Sequence, residues 1–370
     1  MSCPCIKINL NKIADNAGFI NDRCVQSGIS VVGVTKSILA DINIAKVLKK
    51  SGIKIFGDSR LLNLAKLRAY FGYGQSLVML RTPMLSECEA LLEICDTSLQ
   101  TELETVRLLS RICTRKKITH NIIIMIEMDD RREGINPAEA LEFFGTVNRN
   151  YKNINITGLG TNARCISKKK PTLKSIENLI ILRDKIKEIY NYRIPLISGG
   201  NSSLWKYIDS GSLPDEVNQV RIGEAIFIGN ETSAYEKIEG LHDDSFILES
   251  EVIEVKEKKG EIYKVILALG LQDVNYRHIK IVNQYWEIIG QSSDHTVLGL
   301  KKEFYYLKNN ASNFNAIPGY NNFKNSNISN TTSFLDLKAG SIVRFKLDYF
   351  GLLSSMTSPF VIKKYIGDQK

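Results

Sequence analysis

Residues 30–50 read SVVGVTKSILADINIAKVLKK. The first part, 30–35, is a short valine-rich run of the kind that forms a buried strand. The second, 41–50, brings Ile42, Ile44, Ala45, Val47 and Leu48 to one side of a helix. This strand-then-helix unit recurs along the chain. Runs at 6–9, 30–35, 53–57, 77–80, 97–99, 121–128, 154–161, 194–199 and 216–228 read as strands. Helical periods separate most of them, at 41–50, 84–94, 102–112 and, longest, 172–190. Such alternation implies parallel strands joined by helical crossovers. About eight repeats within ~225 residues fit a closed (β/α)8 barrel of the TIM type. An open doubly wound sheet is the competing architecture, and its Gly-x-Gly-x-x-Gly turn after the first strand is absent.

The texture changes after about residue 235. Strand-like runs at 246–255, 263–270, 278–281, 285–289, 296–300 and 341–347 are separated by glycines and polar turns, almost without helical periods. The chain of 370 residues therefore reads as two domains: a barrel over 1–235 and an all-β domain, expected to be a small barrel, over 236–370. Within the second, nine asparagines crowd between Asn309 and Asn330. That composition cannot bury much apolar surface, so a mobile loop or insertion is expected near 309–332.

Composition narrows the function classes. Apolar residues at 44% and charged residues at 24% are ordinary for a globular protein and exclude a mainly disordered chain. No run approaches the ~18 apolar residues of a membrane helix. Residues 1–7 lack the charged and apolar regions of a signal peptide, so the protein is expected in the cytoplasm. The net charge of +9 is spread along the chain rather than gathered into a nucleic-acid-binding patch. The seven cysteines (3, 5, 24, 88, 95, 113, 165) are odd in number and show no paired spacing. They read as reduced thiols, with no metal site and no disulfide framework.

In a barrel, chemistry gathers where strands end. Lys36 follows the strand Val31–Val34 closely, where partial desolvation can lower its pKa and free the amine to form a Schiff base. A lone lysine at a strand exit is more often simply solvated, so other features must converge on it. Ser198-Gly199-Gly200-Asn201-Ser202-Ser203 opens a helix after a strand and suits a phosphate, through close backbone approach and free N–H groups. One strand later, Arg221 and Gly223 point the same way in an extended chain, so one segment can hold a phosphate and set a guanidinium beneath a ring. A lysine on an early strand, a phosphate cup on later ones and a separate β domain together point to pyridoxal 5′-phosphate (PLP).

The segments Val32-Gly33-Val34-Thr35-Lys36, Phe56-Gly57-Asp58-Ser59-Arg60, Arg132-Glu133-Gly134-Ile135, Gly158-Leu159-Gly160-Thr161-Asn162, Ile197 to Ser203 and Arg221-Ile222-Gly223-Glu224-Ala225 resemble the alanine racemase-like, fold-type III PLP family. So do Leu269 to Val274, Ser292-Ser293-Asp294-His295 and Met356-Thr357-Ser358-Pro359. They span nearly the whole chain in order, and the likeness runs to the alanine/ornithine racemase branch. The resemblance implies that Lys36 carries the cofactor as an internal aldimine and serves as base on one face of the substrate. It places Arg221 against the pyridine nitrogen, where an arginine weakens the electron sink and limits side reactions. It also assigns the phosphate to Ser202 and Gly223 with help from Asn201, the phenolic oxygen or substrate carboxylate to Arg132, and ring packing to Asn162. A homodimer is implied, each β domain completing the partner's site.

One departure matters. The family's Gly-Tyr-x-Asp segment, which supplies the acid–base tyrosine of the opposite face, is here Gly270-Leu271-Gln272-Asp273. Leucine moves no protons, so two-face transfer needs another group. Cys165, Asp273, Asp294, His295 and Tyr349 are the candidates, Asp294 being placed to orient His295. The expected activity is racemisation of an amino acid, ornithine or another basic one, whose side-chain ammonium Asp58, Asp130, Asp273 or Asp294 could meet. The competing readings are a PLP decarboxylase or aldolase on the same fold, and a non-catalytic PLP-homeostasis protein. The latter resembles the barrel alone and is shorter.

Overall fold

The computed structural model describes residues 4–164, 166, 169–256, 264–301 and 337–367. Its described residues divide into two compact units. One comprises 10–243, the other 4–9 together with 244–367.

The first unit is the barrel. Eight parallel strands close on themselves: β2 (Ser30–Val34), β3 (Ile55–Asp58), β4 (Ser76–Met79), β5 (Thr97–Gln100), β6 (His120–Met125), β7 (Ile154–Gly160), β8 (Leu196–Ser198) and β9 (Gln219–Ile222). Closure is made by β2 against β9, Val32 standing opposite Arg221. Val78, Leu99, Ile123 and Met125 meet one another with Ile55, Leu80 and Leu196 packed around them. Residues from so many strands can meet only inside the barrel, which is therefore a filled core and not a pore. The helices wrap this core: α1 (Leu10–Gln26), α2 (Ile42–Lys50), α3 (Leu61–Phe71), α4 (Cys88–Ile94), α5 (Leu103–Lys116), α6 (Ala140–Asn150), α7 (Leu173–Tyr190), α8 (Trp205–Asp209) and α9 (Glu224–Ile228). Local chemistry sets their starts. Asp41 caps α2 by accepting from the Ile44 N–H, and Thr172 caps α7 by accepting from the Ser175 N–H.

Two sequence expectations change. The run 216–228 is not one strand: it breaks at Gly223, and Glu224–Ile228 is helical. Its apolar residues are buried throughout, so periodicity alone could not separate strand from helix. The first run is a strand, β1 (Cys5–Asn9), but it lies outside the barrel. It pairs antiparallel with β10 (Phe246–Lys256) and parallel with β16 (Ile362–Ile366) in the second unit.

Among its described residues the second unit forms an eight-stranded sheet, where a small barrel was expected. Its order is β12 (Ile279–Ile281), β15 (Ile342–Leu347), β10, β11 (Lys264–Leu267), β14 (Thr296–Leu300), β13 (Trp286–Gln291), with β1 and β16 added alongside β10. The unit also contains a helix that was not anticipated, α10 (Tyr349–Thr357), capped by Asp348 through the Gly351 N–H. The asparagine-rich run near 309–332 lies outside the described residues.

Candidate active site

The carboxyl ends of the barrel strands carry most of the predicted residues. Lys36, half-buried, opens a 3-10 turn directly after β2. Leu39 and Ala40 follow with φ of 50° and 48°, and the Ala40 N–H returns to the Thr35 carbonyl at 3.1 Å. The loop behind Lys36 is thereby closed tightly. Thr35 is itself tethered: its hydroxyl donates to Asp58 at 2.8 Å. Asp58 also accepts from the Arg60 N–H and from Asn63. Burial pushes its carboxyl above the ordinary range, and the hydrogen bonds oppose that only in part. Asp58, expected as a possible partner of a substrate ammonium, is thus engaged in joining the ends of β2 and β3.

The 198–203 segment forms a cup. Asn201 accepts from the Ser203 N–H at 2.9 Å and donates to the Ala163 carbonyl at 2.8 Å, linking this turn to the loop after β7. Ser202 begins a 3-10 turn and takes the Ala225 N–H of α9 on its hydroxyl at 3.4 Å. Beside it, the Ser203 hydroxyl is buried and finds no partner among the described residues; the same is true of Thr161. Gly223 leaves no room for a side chain, since a Cβ there would sit 2.8 Å from the Val34 carbonyl oxygen. Two orphaned hydroxyls and a glycine forced by close approach are what an oxygen-rich ligand such as a phosphate requires. The residues present fit the phosphate end of PLP.

Arg221, buried at 5% exposure, lies across this region. Its guanidinium donates to the Ser198 carbonyl at 3.2 Å, to the Ser198 hydroxyl, to the Thr161 carbonyl, and to Asn162 Oδ1 at 2.8 Å. Asn162 passes the link on by donating to Glu133 at 2.8 Å, and Glu133 is paired with Arg132. Arg221, Asn162, Glu133 and Arg132 thus form one chain of polar contacts from β9 to the loop after β6. The expected residues Arg132, Asn162, Asn201, Ser202, Arg221 and Gly223 are brought together with Lys36 at one end of one barrel. Glu133, Ser198 and Thr161 were not singled out individually. The usable signal for Ser198 was its place at a strand end one strand from Arg221.

Of the remaining candidates, Asp273, Asp294, His295 and Tyr349 belong to the second unit. In the second unit Asp294 and His295 form an exposed pair, His295 Nδ1 lying 3.1 Å from Asp294 Oδ1. The Ser292 and Ser293 hydroxyls each donate to the same carboxylate oxygen at 3.0 Å. These hydroxyls, with His295, hold the Asp294 carboxyl below its ordinary range. This turn is zipped to the segment bearing Leu271: the Leu271 N–H donates to Ser292 and the Gln272 N–H to Ser293, both at 3.0 Å. A Cβ on Gly270 would run into the Ser293 carbonyl at 2.2 Å. Leu271 and the Asp294–His295 pair are therefore neighbours by construction. Asp273 is used locally, accepting from the Gly270 N–H at 3.0 Å, and Asp130 accepts from the Ile166 N–H at 2.9 Å. Tyr349 is half-buried at the start of α10. Cys165 lies outside the described residues.

A filled parallel barrel with this set of strand-end residues, followed by a β-sheet unit, defines the class: a barrel enzyme of the amino-acid racemase type. Residues 8–231 match the family model described as alanine racemase, N-terminal domain, and the chain belongs to the alanine racemase family. It is 31% identical to the ornithine racemase of Acetoanaerobium sticklandii, over 98% of this chain and 99% of that protein. It is equally 31% identical to the lysine racemase of Thermotoga maritima, over 99% of both. Among solved structures, the alanine racemase of Clostridium difficile 630 in complex with cycloserine shares the fold, with a TM-score of 0.73 at 17% identity, covering 100% of this chain and 97% of the other. The chain is an amino-acid racemase. Among the described residues no helix is long and apolar enough to cross a membrane, and no cluster of side chains is arranged to hold a metal ion.

Proposed function

We propose that this protein racemises a basic amino acid, ornithine or lysine, with PLP bound at the barrel end and Lys36 as its covalent anchor. The observation that carries the reading is the pairing of β2 with β9, which sets the end of the Lys36 strand beside Arg221 and Gly223. Full-length identity to an ornithine and a lysine racemase supports the substrate class.

In this reading Ser202, Asn201 and the Gly223 backbone hold the phosphate, and the orphaned Ser203 hydroxyl adds a donor. Asn162 packs against the ring. Arg132 takes the substrate carboxylate or the phenolic oxygen, Glu133 setting its orientation. When bound, PLP supplies an electron sink for the pair left at Cα once its proton departs. Arg221, a permanent cation unable to lend a proton at neutral pH, keeps that sink modest. The Lys36 amine takes the Cα proton on one face. His295, oriented by Asp294, returns a proton on the other face, and the roles reverse for the opposite enantiomer. Atoms and charge balance over the turnover, because one proton leaves and one arrives. Cys165 is the alternative carrier for the second face. Since His295 belongs to the β unit, a homodimer in which the partner supplies it is part of the proposal, as is a cytoplasmic location.

The test is chiral analysis of D- and L-ornithine, lysine and alanine after incubation with the enzyme, with PLP and after its removal by hydroxylamine. Interconversion of a basic amino acid, dependent on PLP and lost in Lys36→Ala, is expected. Racemisation of alanine alone would overturn the substrate class. PLP binding with no inversion of any amino acid would favour the homeostasis reading.

A further inference from the structure

One buried side chain beside the cofactor region has no part in the reading so far. Gln219 opens β9 two residues before Arg221, so both side chains point into the barrel. It stands opposite Ser198 across the β8–β9 pairing, and the Ser198 hydroxyl donates to its Oε1 at 2.8 Å.

That hydrogen bond completes a directed chain. A guanidinium can only donate, and a serine hydroxyl has one hydrogen and two lone pairs. Ser198 Oγ accepts from Arg221 on one lone pair and gives its single hydrogen to Gln219 Oε1. Gln219 presents its carbonyl oxygen to Ser198 in this arrangement. All three side chains are buried, with Gln219 and Arg221 at 5% exposure and Ser198 at 0%. A buried chain of hydrogen-bonded side chains restricts the rotors of its members.

We propose that Gln219 is a positioning residue. It fixes the rotor of the Ser198 hydroxyl so that a lone pair always faces Arg221, and thereby holds the guanidinium in place beneath the site where the cofactor ring would sit. The functional half rests on the assignment of Arg221 to that ring. On its other side Gln219 lines a cavity of about 100 Å³ with Thr97, Thr157 and Leu196. Truncation to alanine would let water into the acceptor's place, so the informative change is Gln219→Met. It preserves volume and removes the acceptor. Gln219→Glu keeps an acceptor at the same reach.

The experiment has a readout that needs no cofactor. In arginine-labelled protein, the Nε and Nη resonances of Arg221, assigned by their loss in Arg221→Lys, report whether the guanidinium is held. In the wild type the two Nη positions should be resolved. They should merge in Gln219→Met and in Ser198→Ala, and separate again in Gln219→Glu. With cofactor, kcat for racemisation should fall roughly 10- to 100-fold in Gln219→Met with KM little changed. The double variant Ser198→Ala/Gln219→Met should lose no more than either single change, because both act through one hydroxyl. Resolved Arg221 signals in Gln219→Met, or losses that multiply in the double variant, would overturn the proposal. Signals that merge as expected in a protein showing no Lys36-dependent cofactor absorption would instead overturn the assignment of Arg221, leaving Gln219 a structural residue only.

Discussion

The Asn162 side chain accepts from Arg221 and donates to Glu133, both at 2.8 Å, so one amide separates a buried cation from a carboxylate. Its orientation is fixed from both ends, since Arg221 can only donate and an ionised Glu133 can only accept. Replacing it with aspartate keeps the shape but abolishes the donor. Asn162→Asp should set two carboxylates against each other beside Glu133 while strengthening the pull on Arg221. A fall in kcat/KM of at least about 10-fold is expected, with Asn162→Ala milder in its effect on Arg221. Steady-state kinetics on the two variants check this. Equal activity of Asn162→Asp and wild type would remove the amide from the mechanism.

Gly223 is the most constrained position of the cup. Gly223→Ala places a methyl 2.8 Å from the Val34 carbonyl oxygen and 3.0 Å from Val34 Cβ, and backbone cannot yield cheaply. A loss of roughly 1–3 kcal/mol of stability is expected, accompanied by weaker PLP binding because β9 must move away from β2. Urea unfolding and a fluorescence titration with PLP measure the two effects. Unchanged affinity would show that Gly223 is needed for packing alone.

If His295 serves one face of Cα and Lys36 the other, the two steps separate in a variant. His295→Gln should invert ornithine or lysine roughly 10²- to 10⁴-fold more slowly. It should nonetheless keep washing out the α-proton of the enantiomer that Lys36 attacks. Mass spectrometry of recovered substrate in D₂O reads both at once. Inversion at the wild-type rate would move the role to Cys165 or Tyr349.

A buried histidine outside this site is expected to contribute to acid stability. His120, at the start of β6, is 3% exposed and shares a hydrogen bond of 2.9 Å with the Ser98 hydroxyl, which also accepts from Gln100. Burial lowers its pKa from 6.5 to about 4. Between those values the unfolded chain binds a proton that the folded chain refuses, so stability rises with pH across the window. The contribution is fully present above about pH 6.5 and is lost as the pH falls toward 4, by at most about 3 kcal/mol. Denaturation midpoints from pH 4 to 7 should therefore slope less steeply in His120→Gln than in the wild type. Parallel slopes would mean that His120 does not titrate differently on folding.

Much of this was legible in the residues, and the failures have physical reasons. The barrel followed from alternation, and the placement of Lys36, Arg221, Ser202 and Gly223 at its strand ends was legible from the small residues and strand exits around them. The sheet to which β1 belongs could not be read. Cys5–Asn9 has the composition of any half-buried strand, and its partners, β10 and β16, lie more than two hundred residues away. The break at Gly223 was hidden because strand and helix on either side are equally apolar. α10 was missed because Tyr349–Thr357 is short and apolar, with only a weak polar face. The network Gln219–Ser198–Arg221 needed cross-strand register, which no linear spacing supplies. The proximity of Leu271 to Asp294 and His295 was likewise out of reach, since a turn-to-turn contact through Gly270 leaves only a glycine in the sequence.

The most direct measurement is α-proton exchange of D- and L-ornithine in D₂O by the PLP-loaded enzyme, with Lys36→Ala alongside. Deuterium entering Cα from both enantiomers, with inversion, and none in Lys36→Ala, is the predicted result. Exchange and inversion that persist without Lys36 would contradict it, as would their complete absence in a wild-type protein that binds the cofactor through that lysine.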